Sequence, residues 1–158
     1  MENTFKPIKI AILMHSDGLE GPGRSHIEMV SSLIEAGNQV YTLLPQSQSE
    51  MKSILIQIGS EVHVVGDLPW WTATSDLSLV NFININLIKK LMSLGPDLIV
   101  TQTGVIPQAA IAAKILNTPH VWYLREYIDQ DHGLRIPFAK EKFSKVVSNL
   151  SQKVLTNS

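Results

Sequence analysis

The sequence contains no cysteine. A disulfide framework, a thiolate metal site and a cysteine nucleophile are thereby excluded together, and a reducing, cytoplasmic setting is compatible with that absence. It also lacks an excess of either charge: 13 Lys and Arg stand against 14 Asp and Glu, a net charge of -1. No long-range field would draw such a chain onto a nucleic-acid backbone, so nucleic acid is not an expected partner. No long hydrophobic run is present either. The most apolar segment, LSLVNFININLIKKLM, is interrupted by Asn81, Asn84, Asn86, Lys89 and Lys90, and MENTFKPIK lacks the pattern of a secretion signal. Apart from a weak SQSQSE bias there is no low-complexity stretch, no internal repeat and no Gly/Ser-rich linker.

What is present is an alternation. At 158 residues the chain fits one domain with a full-sized core. Short apolar runs at Lys9 to Met14, Gln39 to Leu44, Glu61 to Val65, Asp97 to Thr101, His120 to Leu124 and Lys153 to Thr156 read as strands. Between them lie segments of helical period: Ser25 to Ala36, Glu50 to Ile58, one led by Asp76 with Val80, Ile83, Leu87, Leu91 and Leu94 inward, one opened by Pro107, and Phe138 to Leu150. Gly37 stands where a left-handed cap stops the first helix. This order predicts an α/β fold, a Rossmann-like three-layer α/β/α sandwich around a mostly parallel sheet of about six strands.

The stretch DGLEGPGRSH, Asp17 to His26, carries the first chemistry. It spells G-x-x-x-x-G-R-S, but Arg24 replaces the lysine a P-loop needs, and the spacing G-x-x-G-x-G is not a dinucleotide fingerprint. The second strand also ends TLLPQS, without the carboxylate that would hold a ribose. Ser25 and Glu28 read as a capping box for a helix that starts there. A cap needs no glycines ahead of it, so Gly21 and Gly23 read as places where backbone N–H groups approach an anion.

These residues resemble a known family. The first strand, the G-P-G-R-S turn, the helix and the run L-I-E-A-G-N-Q-V-Y-T-L-L-P are similar to the N-terminal domain of retaining glycosyltransferases of GT-B architecture, family 4-like. PDLIVTQTG and KVLTNS resemble the fourth strand with its loop and the strand that closes that domain, and PHVWYLREYIDQDHGL resembles a subgroup that builds bacterial surface polysaccharide. The resemblance implies sugar transfer from a nucleotide-sugar donor to a saccharide or lipid-linked acceptor, with no metal or other cofactor required. It further implies that Gly21, Gly23 and Arg24 face the donor diphosphate, and that a second, donor-binding domain lies beyond Ser158, leaving this chain inactive alone. Where many members carry His-Asp after the fifth strand this chain has Arg125-Glu126, and Thr103-Gly104 stands where many have a histidine.

The loop after the fifth strand therefore supplies the expected catalytic residues, Arg125, Glu126 and His132, at the sheet edge where such folds bind ligands. A plain surface ion pair between Arg125 and Glu126 is the structural alternative. Thr103, Gly104, Asp131 and Trp71 are the expected acceptor contacts. His15, His26 and His132 have no spacing that fixes a metal geometry. Lys140, Lys142 and Lys145 line a polar helix face, solvated or laid peripherally on the inner face of a membrane. Two other readings stay open: a stand-alone Rossmann- or flavodoxin-like binding or regulatory module, and a nicotinamide-dependent reductase.

Overall fold

The structure, a computed structural model, describes residues 6–73, 78–126 and 140–156. Six strands, β1 (Lys9–Leu13), β2 (Gln39–Leu44), β3 (Glu61–Val64), β4 (Leu98–Thr101), β5 (His120–Leu124) and β6 (Lys153–Thr156), form one sheet in the order β3-β2-β1-β4-β5-β6. Every pairing is parallel, so all six carboxyl ends lie on one edge. The helices are α1 (Gly21–Glu35), α2 (Glu50–Gln57), α3 (Ile85–Leu94), α4 (Gln108–Leu116) and α5 (Lys140–Leu150).

Strand β1 is apolar on both sides because both faces of the sheet are covered. Ile10, Ile12 and the following Met14 join Val30, Met51 and Leu55 of α1 and α2 in one core. Ala11 and Leu13 turn the other way, toward Leu87, Leu91 and the alanines Ala109, Ala112 and Ala113. Those small side chains let α4 settle deep in its layer, and its residues Gln108 to Ala113 are all buried. A third cluster, built on Trp71, Phe82, Trp122, Phe143 and Val147, seals the β5 side.

Two helix starts differ from the sequence reading by several residues. Helix α1 begins at Gly21, four residues before Ser25, with extended Glu20 as its N-cap and no side-chain cap. Pro22 explains the difference: its fixed φ suits a first helical turn, where its missing N–H costs nothing. Ser25 is thus inside the helix and the capping box with Glu28 does not form. The long segment before β4 is also divided. Leu79–Phe82 is a 3-10 turn, and α3 starts only after Asn84, whose carbonyl Oδ1 accepts from Leu87 N at 2.9 Å. Val80 and Ile83 are consequently exposed instead of inward, and Asp76 lies outside the described residues. At the end of α1, Gly37 adopts φ 88°, the left-handed geometry that stops the helix.

Candidate functional site

In this strand order the chain leaves β1 toward β2 on one side and reaches β4 on the other, so the switch point lies between β1 and β4. In open sheets of this kind the flanking loops diverge at that point, and ligands bind there at the carboxyl edge. Met14 to Glu20 follow β1, Gln102 to Pro107 follow β4, and Arg125 and Glu126 follow β5. The loop after β3 also reaches this edge: Val65 N donates to Leu44 O (2.9 Å) in continuation of the β2/β3 ladder, and Trp71 N donates to Val105 O (3.1 Å) beyond β4.

The turn Thr103–Gly104 is held at four polar groups. Thr103 Oγ1 donates to Glu126 Oε1 (2.7 Å) and Gly104 N donates to Glu126 Oε2 (2.8 Å). The two carbonyls accept from indoles, Thr103 O from Trp122 Nε1 and Gly104 O from Trp71 Nε1, each at 2.6 Å. Both residues are buried, so each bond satisfies a group that water does not reach. These four groups of Thr103 and Gly104 are therefore engaged within the protein.

Arg125 and Glu126 do not form the surface ion pair that the sequence left open. The guanidinium turns away, and Arg125 Nη1 donates to Pro22 O at 2.8 Å in the first turn of α1. Its Nε is buried and without a partner. The adjacent residues thus tie two loops together, β5 to α1 through Arg125 and β5 to β4 through Glu126. Beneath them, His26 is fully buried, and its Nδ1 lies 2.6 Å from Gln102 Oε1. Because an amide oxygen only accepts, that nitrogen carries the proton and Nε2 is left as a buried acceptor with no partner. Burial, only partly offset by the Gln102 bond, pushes the imidazole down to about 4 and keeps it neutral. His15, directly after the β1 exit, is also lowered, by burial first, with Glu126 raising it and Arg125 lowering it.

At the glycine turn the two glycines have different jobs. A Cβ on Gly23 would collide with the Gly18 carbonyl oxygen and stand 2.6 Å from Met51 Cε, so this position is glycine for packing. Its N–H donates to Glu20 O at 2.7 Å, as does that of Arg24 at 3.1 Å. Gly21 faces open space, at the positive end of the α1 dipole. Arg24 is exposed.

Trp71 requires a correction. It is 1% exposed, stacked on Trp122 with centroids 5.5 Å apart, and belongs to the core; it has no surface to offer an acceptor. Asp131 and His132 lie outside the described residues. The structure instead brings His15, His26, Gln102 and Trp70 to the edge that holds Arg125 and Glu126. His15 and Gln102 could have been flagged from sequence, since each comes within two residues of a strand end at the switch point. The His26–Gln102 pair spans 76 residues and no local pattern announces it. Among the described residues, no three His, Asp or Glu side chains are grouped to hold a metal ion.

No protein-family model matches the sequence, and no curated protein matches it. Solved structures do. HepE of Anabaena, in complex with UDP and glucose, has a TM-score of 0.62 and 21% identity, covering 96% of this chain and 38% of its own. MurG of Acinetobacter baumannii has a TM-score of 0.62 at 13% identity, over 95% of this chain and 41% of its own. Phytolacca americana UGT2 has 0.55 at 14%, over 97% and 46%. What the chain shares with them is a Rossmann-like α/β fold, six parallel strands with helices. The chain spans less than half the length of each of these structures.

Proposed function

We propose that this chain is the acceptor-side, N-terminal half of a glycosyltransferase. It would move a sugar, with retention, from a nucleotide-sugar donor to a saccharide or lipid-linked acceptor in surface-polysaccharide assembly. The observation that carries the reading is the polar cluster at the β1/β4 switch point, on a fold shared with a structure that holds UDP and glucose. Cleavage of the donor bond places negative charge on the leaving diphosphate. The open N-terminus of α1 at Gly21 and the nearby cation Arg125 oppose that charge, and no metal is required for it. Glu126 acts by holding the Thr103–Gly104 turn, with His132 kept as a catalytic group and Asp131 as an acceptor contact. The donor's nucleoside is bound by a second domain in this reading, and the work is done in the cytoplasm.

A peripheral membrane contact fits the helix layer α3, α4 and α5. Its described residues carry Lys89, Lys90, Lys114, Lys140, Lys142 and Lys145 against Glu141 alone, with Ile85, Met92 and Ile115 exposed among them. No helix among the described residues is long and apolar enough to cross a membrane.

The test is expression of the whole natural reading frame and assay of nucleoside-diphosphate release from a panel of nucleotide sugars. A second α/β domain of about 150 to 200 residues and turnover that falls in Arg125→Ala are expected. A frame that stops at Ser158, with no release from any donor, replaces this reading with that of a binding module.

A further inference from the structure

Trp70 and Trp71 are adjacent in sequence and opposite in fate. Trp71 is sealed in the core, with its indole N–H on Gly104 O. Trp70 is 39% exposed at the carboxyl edge of the sheet. Its backbone is fixed from both sides, since Pro69 O accepts from Gln108 Nε2 at 2.6 Å and Trp71 N donates to Val105 O at 3.1 Å. The loop thus carries an indole from the end of β3 across β2 to the exit of β1. There its ring meets His15 edge-on, with centroids 5.5 Å apart and planes at 78°. A large aromatic side chain is thus held partly in water at the edge that also carries Arg125 and Glu126.

We propose that Trp70 and His15 form a saccharide subsite, in which the C–H face of a pyranose ring lies on the exposed indole and a ring hydroxyl bonds the imidazole. The proposal rests on the glycosyltransferase reading and assigns the acceptor side of it. A sugar has the matching chemistry: one face of axial C–H groups, slightly positive beside the ring oxygens, for the negative face of an indole. Its rim of hydroxyls needs donors and acceptors at right angles to that face, which is how His15 stands to Trp70. A fixed loop loses little entropy when the ring is covered, so a single platform is effective.

The 158-residue chain has three indole N–H groups, and Trp70→Phe identifies which NMR cross-peak belongs to Trp70. The chain is titrated with the methyl glycosides of glucose, galactose, mannose and N-acetylglucosamine, and separately with UMP. The Trp70 cross-peak should move with at least one glycoside while those of Trp71 and Trp122 stay. A Trp70 signal that no glycoside moves overturns the subsite, as does one that UMP alone moves, which would make it a nucleobase platform. In the full-length protein, Trp70→Ala should raise the acceptor KM about three- to tenfold with kcat little changed, and Trp70→Phe should restore most of it. Wild-type transfer with an unchanged KM in Trp70→Ala sinks the subsite and leaves the glycosyltransferase reading standing. Absence of transfer by the wild type, with glycosides still moving Trp70, sinks that reading and leaves a sugar-binding module.

Discussion

Replacing Glu126 with alanine removes the acceptor for two donors at once, the Thr103 hydroxyl and the Gly104 N–H. The hydroxyl can rotate toward another acceptor, but the Gly104 amide is buried and fixed, because Thr103 O, the carbonyl of the same planar peptide unit, is held by Trp122. A buried N–H without a partner costs about 1–3 kcal/mol, and a hydrogen bond to a charged acceptor contributes about 1.5–3 kcal/mol. Glu126→Ala is therefore expected to destabilise the domain by about 2–4 kcal/mol, a large share of the roughly 5–15 kcal/mol that domains possess. Glu126→Gln is the informative control. Its amide oxygen can accept from Gly104 N–H and its NH2 can donate to Thr103 Oγ1, so the loss should stay under about 1.5 kcal/mol. Urea denaturation followed by tryptophan fluorescence measures both, since Trp71 and Trp122 are buried against this turn. A Glu126→Ala midpoint within about 0.5 kcal/mol of wild type would refute the clamp. In the full-length protein the clamp also requires Glu126→Gln to keep most of its turnover; a drop of about 100-fold or more marks a group that handles the proton itself.

The other expectations concern different parts of the domain. Gly23→Ala should cost about 1–3 kcal/mol by overpacking against Gly18 and Met51, whereas Gly21→Ala, open and helical, should be neutral or gain about 0.4–1 kcal/mol; equal urea midpoints for the two would contradict the packing. His26 and His120 are held near 4 by burial, so the unfolded chain takes up protons on them near 6.5 that the folded chain refuses. Stability should be full above pH 6.5 and decline as pH falls toward 4, by up to about 3 kcal/mol per histidine; imidazole NMR signals that titrate near 6.5 in the folded protein would exclude this. Vesicles rich in phosphatidylglycerol should co-sediment the chain and neutral ones should not, with Lys89→Glu and Lys114→Glu together abolishing the effect; equal binding to both vesicle types would remove the lysine face from the account.

How far the residues alone carried the fold depended on where the information sits. The ends of β2 and β6, and the left-handed stop at Gly37, coincide with local apolar runs and a local glycine, and so were legible. The start of α1 was misplaced because Ser25 and Glu28 imitate a capping box, while Pro22, the better signal for a first turn, was passed over. Asn84 was missed as a cap because Val80 and Ile83 continue the helical period across the break that it makes. The tryptophan choice failed for a different reason. Two identical adjacent side chains carry no sequence mark of which one is buried, and only the position of Gly104 and Trp122 settles it.

By itself the sequence determined the class of fold, since alternating short apolar runs and amphipathic segments have few packed solutions, and it placed Arg125 and Glu126 at the carboxyl end of β5. Tertiary structure decided what those residues do. Glu126 meets a turn 22 residues away, Arg125 a carbonyl 103 residues away, and His26 a glutamine 76 residues away. Such partners are chosen by strand order and by the crossing of loops over the sheet edge. A hydrogen bond is a matter of a few ångströms in space, and spacing along the chain does not encode it.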